Sequence, residues 1–510
     1  MLGAVFKMKF KVKLSKINTG KPSLIINPKD CEKVGLHPKD VAYIIASGSK
    51  KTCATVIVSD NIEEGYIELT EHVKRALKIS ELPEFVEVLP AGPSASLPLI
   101  KAKLYGKKLT RHEIKTIVKE IVERRLGDAE ISMLCAALMV NGMDLEEVRN
   151  LSLSIAELGE IIEWPFGPIY DVHSIGGVPG NKTALLTVPI VASFGVKIPK
   201  TSSRAITSPA GTADVMETLA PVALKPEEIV EIVTKVNAVL AWGGSLNLAP
   251  ADDIIIEVER VLSVDPEPIL LASIMSKKIA MGINKLLIDM PTGTEAKIEK
   301  IEDAETLATR FIELGKLLEI QTKVAITYGG QPIGRNVGPA LEAYEALETL
   351  MKGKGSGSLV HKATSLAGII LEEAGIAPHG QGKAFAMEAL KSGKAYEKMK
   401  EIISAQGGDP NIKPEDLPIG DYREIFTSQT SGYVTYISNR AIASIARVAG
   451  APADKGAGVR LYVKAGENVK PGDPLFEIYA ESEEKLSEAL IVARRNWPIR
   501  VEGMLLKTLG

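Results

Sequence analysis

Aromatic residues are scarce. They fill 5% of the 510 positions while 45% are hydrophobic, so the cores must be built from Ile, Leu, Val and Ala. Cysteine is nearly absent. Cys31, Cys53 and Cys135 have no metal-ligand spacing and cannot pair evenly, which excludes a disulfide scaffold and fits a reducing compartment. No apolar run reaches the roughly 18–20 residues that span a bilayer. The opening MLGAVFKMKFKVK lacks the apolar stretch of a signal peptide. Neither charge is in surplus: 61 Lys and Arg against 64 Asp and Glu leave a net −3, which gives no support for nucleic-acid binding. The chain reads as cytoplasmic, with no nucleic-acid or membrane partner, and long enough for roughly two to four domains.

What is present has a clear order. Residues 9–93 alternate with period two (KFKVKL, VAYIIAS, TCATVIVS, EFVEVLP), which predicts a small N-terminal β-barrel. GLHPKDVAYII resembles the strand-turn signature of double-psi-like barrels, and PAGPSASLP (90–98) is a linker by composition. An all-helical stretch follows. Thr110 opens a capping box with Glu113, Asp128 caps a helix that stops at Gly142, and Asp144 caps the next. From Trp164 strands and helices alternate, predicting parallel pairing within a mixed sheet. Residues 251–283 return to helix, so the helical domain is discontinuous, and a cleft with hinges is expected between the two layers. VKAGENVKPGDPLFEI resembles the barrel-sandwich pattern of biotinyl and lipoyl domains, without their lysine turn. The expected division is 1–93 barrel; 94–163 and 244–276 helical; 164–243 and 277–429 α/β; 430–510 an α+β, barrel-sandwich-like portion.

Two loops rich in glycine and hydroxyls stand a helix apart: SIGGVPGNKT (174–183) and SSRAITSPAGT (202–212). Glycine lets backbone approach a ligand, and free N–H groups at a helix start bind anions. Two such loops suggest a ligand with two separate anionic groups. Neither loop is decisive alone. Asn181 breaks the P-loop spacing, so the first reads equally as a strand-to-helix turn with Thr183 as cap. Thr212 reads as an N-cap of the next helix. Arg204 suits bidentate phosphate contact, or an internal carboxylate. A third constellation is VDPEPILLASIMSKKIA. Asp265 before Pro266 reads as an N-cap, and Ser273 and Lys277 share a helix face that presents a hydroxyl and an ammonium to a ligand or to solvent.

VHSIGGVPGNKT, SSRAITSPAGTAD, ASIMSKKIA and GQPIGRNVGPALEAYEAL together resemble the thymidine/pyrimidine nucleoside phosphorylase family. The likeness runs from about Leu97 to the C-terminus. The extra N-terminal barrel fits the family's archaeal, nucleotide-cleaving branch. Two departures separate the chain from an ordinary thymidine phosphorylase: the family's lysine before His is Val172, and a base-holding arginine falls at or near Asp252. The second loop is closer to that of anthranilate phosphoribosyltransferase, which binds a sugar 5-phosphate.

The resemblance implies a pentosyltransferase that cleaves AMP, and also CMP and UMP, with orthophosphate as co-substrate and neither metal nor cofactor. The products would be free base and ribose 1,5-bisphosphate. Asp265 would be the proton donor. Gly177, Ser203, Arg204, Ala205, Ile206, Thr207, Ser208, Thr212, Ser273 and Lys297 would hold AMP. His173, Ser174, Lys182, Thr183 and Ser202 would lie on the orthophosphate side. The expected assembly is a homodimer that can associate further. Alternative readings are a thymidine phosphorylase, a phosphoribosyltransferase using phosphoribosyl pyrophosphate with Asp214 and Glu217 as magnesium ligands, and a non-catalytic assembly protein built on the terminal barrels.

Overall fold

The computed structural model describes residues 8–46, 50–205 and 208–503. It divides into two compact units. One runs through Gly159 and returns for Ala249–Lys277; the other holds Glu160–Leu248 and the chain after Lys277.

The first unit begins with β1 (Met8–Leu14), β2 (Ser23–Ile26), α1 (Pro28–Val34), β3 (Val41–Ile45), β4 (Lys51–Val58), β5 (Tyr66–Leu69), α2 (Glu71–Ala76) and β6 (Phe85–Pro90). The strands close into a barrel in the order β1-β5-β2-β4-β3-β6, with β1–β5 and β2–β4 parallel. Period-two alternation turns Phe10, Leu24, Ile44, Ile67 and Val88 into its aliphatic core. The helical layer follows: α3 (Ser96–Leu104), α4 (Arg111–Val122), α5 (Asp128–Asn141) and α6 (Leu145–Glu157). Thr110 and Asp144 cap α4 and α6 as the sequence predicts. Asp128 does not cap α5: it is the first helical residue, and Glu130 reaches back to the N–H of the N-cap, Gly127.

The composition-based linker is shorter than expected and firmly held. Ser96 and Pro98 already belong to α3. Buried Glu120 accepts from Ser94 Oγ and from the N–H groups of Ala95 and Ser96, while Arg125 donates to the carbonyls of Ala91 and Pro93. Proline and glycine set its shape, but the side chains of Glu120 on α4 and Arg125 just beyond it satisfy its backbone.

The second unit continues with β7 (Tyr170–Ser174), α7 (Ala184–Ala192), β8 (Ile198–Ser202), α8 (Thr212–Met216), α9 (Pro226–Val236) and β9 (Ala238–Trp242). After α10 (Pro250–Leu262) and α11 (Glu267–Ala280) come β10 (Lys285–Thr292), α12 (Ile301–Leu317), β11 (Gln321–Tyr328), β12 (Asn336–Val337), α13 (Pro339–Lys352), α14 (Gly357–Glu373), α15 (Gly382–Lys391) and α16 (Lys394–Ala405). The division between units falls inside α11. Sheet β11-β10-β7 and pair β8-β9 are parallel throughout. The mixed sheet is thus corrected: helical crossovers join these strands and return each in the same direction.

The chain ends with β13 (Tyr422–Thr427), β14 (Gly432–Ile437), α17 (Asn439–Val448), β15 (Gly458–Leu461), β16 (Asn468–Val469), β17 (Pro474–Ala480), α18 (Glu483–Arg495) and β18 (Ile499–Glu502). Two antiparallel sheets, β12-β15-β17-β13 and β16-β14-β18, share a core with both helices. Three of the few aromatics meet here: Phe426 stacks on Phe476 at 4.6 Å with Trp497 edge-on to both. No helix among the described residues is long and apolar enough to cross a membrane.

Candidate functional site

β7 delivers His173 and Ser174 at its C-terminal end, the edge of a parallel sheet where ligands bind. Its register is anchored inside the unit. Buried Asp171 pairs with Lys278 at 2.5 Å and Lys200 at 3.8 Å, and burial pushes Lys200 down to about 8. Beyond Ser174, Gly176, Gly177 and Gly180 all take positive φ, which a Cβ would strain. Asn181, the residue that spoils the P-loop spacing, organises the turn. Its amide donates to Ser174 Oγ (2.9 Å) and its carbonyl accepts from Thr183 Oγ1 (2.8 Å). Thr183 occupies the N-cap position of α7, but its hydroxyl serves Asn181 and not the helix.

Lys182 is wholly buried. Its ammonium donates to the carbonyls of Gly180 (2.8 Å), Ile333 (2.9 Å) and Asn336 (2.9 Å), with Glu345 at 3.0 Å. All three protons are spent inside the protein, so in this structure Lys182 braces the loop. Lys464 grips the same second strip of backbone, through the carbonyls of Pro332 and of Gly334 (3.0 Å). Burial first, and the neighbouring Lys182 charge second, push Lys464 down to about 7.

A Cβ on Gly177 would fall 2.7 Å from Lys297 Cβ and 2.8 Å from its backbone nitrogen. Two residues 120 apart in the chain are thereby set side by side. Gly177→Ala is expected to strain the backbone by about 1–3 kcal/mol and to displace Lys297. The expected readout is a KM for AMP raised about tenfold, with the fold unchanged by circular dichroism.

β8 delivers Ser202, and Ser203, Arg204 and Ala205 follow; Ile206 and Thr207 lie outside the described residues. The loop closes on itself because position 211 has no side chain: a Cβ there would lie 2.6 Å from Ser203 O. Thr212 is the first helical residue of α8 and not its cap. The cap is Gly211, whose N–H goes to buried Asp214 (3.0 Å), which also accepts from Ala205 N (2.7 Å). Ser208 Oγ donates to Ala210 O. Arg204 takes the internal-carboxylate option. It forms hydrogen bonds with Glu217 (2.5 and 2.7 Å) and Asp214 (3.1 Å) and lies 4.7 Å over the Trp242 ring. That guanidinium holds Glu217 down to about 2. Lys455 pairs with Glu217 as well (2.7 Å). The two carboxylates read as magnesium ligands are spent on Arg204, Lys455 and loop N–H groups.

In the first unit, α11 begins at Glu267, with Pro266 as the N-cap whose carbonyl accepts from Leu270 N. Asp265 is exposed and precedes Pro266, outside the helical residues. Proline fixes the last non-helical residue and displaces the boundary by one. Ser273 and Lys277 share a face, as their spacing predicts, and both reach Asp252 Oδ2 (2.8 and 2.6 Å). Burial opposes the Lys277 charge, but the Asp252 carboxylate outweighs it and raises the ammonium above its ordinary range. The position where relatives are expected to hold an arginine thus carries a buried anion.

Full-length comparison joins these loops to a family. The chain is 56% identical over 503 residues to AMP phosphorylase of Thermococcus kodakarensis, covering 99% of this chain and 100% of that protein. It belongs to the AMP phosphorylase family. The AMP phosphorylase of Pyrococcus abyssi is 57% identical with the same coverage, and that of Methanocaldococcus jannaschii 50% identical over 96% of both chains. Family models match three segments: a glycosyl transferase helical bundle domain over 97–159, a glycosyl transferase a/b domain over 167–396, and a pyrimidine nucleoside phosphorylase C-terminal domain over 433–500. Anthranilate phosphoribosyltransferase from Thermus thermophilus shares the fold, with a TM-score of 0.50 at 20% identity over 60% of this chain and 98% of that one.

Within this AMP phosphorylase framework the second unit holds His173, Ser174, Gly177, Lys182, Thr183, Ser202–Ala205, Ser208, Thr212 and Lys297. Asp265 and Ser273 stand in the first unit. Sequence reasoning missed the support residues Glu345 and Lys464, and it gave Asp214 a metal role where the structure gives it the loop N–H groups and Arg204. Glu345 lies inside the quoted GQPIGRNVGPALEAYEAL motif, where two glutamates a turn apart among apolar residues, Glu342 and Glu345, both buried, were the available signal.

Proposed function

We infer that the protein phosphorolyses AMP. Supporting this most strongly is identity of 56% across essentially the whole of a chain named AMP phosphorylase. An orthophosphate oxygen attacks C1′ of the ribose and the C1′–N bond breaks with its electron pair going to the base. The transition state is oxocarbenium-like, as in other glycosyl transfers. The leaving base takes a proton, which Asp265 is proposed to give. His173, Ser174, Thr183 and Ser202 are proposed to receive orthophosphate at the end of the parallel strands, with Lys182 acting through the loop it braces. Gly177, Ser203–Ser208, Thr212, Ser273 and Lys297 are proposed to hold AMP. CMP and UMP are proposed as further substrates, and a homodimer as the basic assembly. The barrel and the C-terminal sheets supply no reacting group in this reading.

The test is base release from a panel of nucleotides and nucleosides with orthophosphate. AMP should exceed adenosine and thymidine by roughly 30- to 1,000-fold in kcat/KM, the value of about 2–4 kcal/mol of charge-assisted phosphate contacts. Equal rates on thymidine and AMP would sink the nucleotide reading.

A further inference from the structure

A cavity of about 440 Å³ opens beside both loops, within the second unit. Gly177 and Ser208 line one side, and α17 lines the other with Arg440, Ser444 and Arg447. Their spacing of four, then three, places them on one face of that helix. A drug-sized ligand needs roughly 300–1,000 Å³, so the space suits a sugar phosphate.

The polar groups around the cavity point to one chemistry. Glu295 also lines it, but its carboxylate is occupied: it accepts from Ser438 Oγ (2.9 Å) and Arg440 N (2.9 Å). Burial alone would raise the Glu295 pKa; the Arg440 N–H and neighbouring hydroxyls outweigh it and hold the carboxyl below its usual range. The Arg440 side chain is 74% exposed, and its nearest ion-pair partner, Glu299, stands off at 3.6 Å. Asn439 is the unusual member. It is 2% exposed; its amide donates to Gly329 O (2.8 Å), and its buried Oδ1 has no hydrogen-bond partner. A buried acceptor left unmet costs about 1–3 kcal/mol, and this one stands behind the cavity wall, so the groups open to a ligand are those of Arg440, Ser444 and Arg447.

We propose that this cavity is the pentose 5-phosphate subsite: Arg440 and Arg447, with Ser444 between them, take the phosphate dianion. The inference rests on the phosphorolysis reading and adds to it a specificity wall on α17 that neither loop motif contains. Arginine suits the task because its fork matches phosphate oxygens two at a time. Discrimination between AMP and adenosine then lies in the C-terminal portion of the chain.

The experiment uses the full-length protein with two readouts: steady-state kinetics, and calorimetric binding of ribose 5-phosphate in the absence of turnover. Arg440→Gln with Arg447→Gln should weaken ribose 5-phosphate binding and raise the KM for AMP, each roughly 30-fold, with kcat held within about threefold. The KM for orthophosphate should not move. Arg440→Lys with Arg447→Lys should restore part of the affinity, and Ser444→Asp, which sets a carboxylate in the cavity, should act in the same direction as the double glutamine variant. Unchanged ribose 5-phosphate affinity and AMP KM in both the glutamine and aspartate variants would overturn the proposal. So would a change confined to the orthophosphate KM, which would make α17 the co-substrate wall. A wild-type protein that binds ribose 5-phosphate through these arginines yet does not cleave AMP would uphold the subsite and refute the phosphorolysis reading.

Discussion

Replacing Asp265 with asparagine is expected to lower kcat about 10²–10⁴-fold while leaving the thermal transition in place. The base departs as a poor anion unless it is protonated, and asparagine has the size of the acid without its proton. The position of Asp265 sharpens this expectation. A capping carboxylate is stabilised as the anion by helix N–H groups, which would disfavour proton donation. Here Asp265 is exposed, two residues before the first helical residue, Glu267. Asparagine keeps the size and most of the capping ability of aspartate, and exposed substitutions usually stay within about 0.5 kcal/mol, so stability should not carry the change. A near-wild-type kcat would end the assignment, and lost activity accompanied by a large fall in melting temperature would make Asp265 a structural residue.

Lys182→Met should have the largest effect on stability, about 3–5 kcal/mol, because it removes one partner of a buried ion pair. Methionine fills the same channel but leaves the carbonyls of Gly180, Ile333 and Asn336 without a donor. Glu345, 5% exposed, would keep the N–H groups of Arg335 and Asn336 and lose its counter-charge. The first loop should then relax, and a displacement of about 1 Å at a reacting group can cost about 100-fold in rate. Adding Glu345→Leu should recover part of the lost stability, since a buried pair replaced together costs less than one partner removed. Chemical denaturation of the single and double variants, followed together with the KM for orthophosphate, distinguishes a brace from a ligand. A phosphate ligand would raise that KM with the denaturation midpoint unmoved, and this result would refute the bracing role.

What could be read from the chain depended on how local the cause was. The two loops, the apolar helix between them and the caps at Thr110, Asp144 and Gly142 follow from residues within a turn of each other. The Ser273–Lys277 face was legible for the same reason, although its partner Asp252 was not. Errors of one residue arose where glycine took the cap beside a more polar candidate, as at Gly127 and Gly211. The meaning of Lys182 was out of reach. A lysine after a glycine turn looks like a phosphate ligand until Ile333, Asn336 and Glu345 enclose it from far along the chain. Arg204 lay between these extremes: its carboxylates follow ten and thirteen residues later, but only the fold of α8 turns them back. The arginines of α17 carry no motif, and their place beside Gly177 and Ser208 is a product of tertiary packing alone.

The double lysine grip also says when, during synthesis, this enzyme can come into being. Lys182 holds the carbonyls of Ile333 and Asn336, and Lys464 holds those of Pro332 and Gly334 on the same strip. A nascent chain that has emerged only past its α/β strands has the SIGGVPGNKT loop but not its clasp. Domains tend to fold in order as they leave the ribosome, yet this loop waits for a lysine near the end of translation. The barrel and helices can be finished early; the SIGGVPGNKT turn is among the last parts to set, and a prematurely terminated chain would display it without ever locking it.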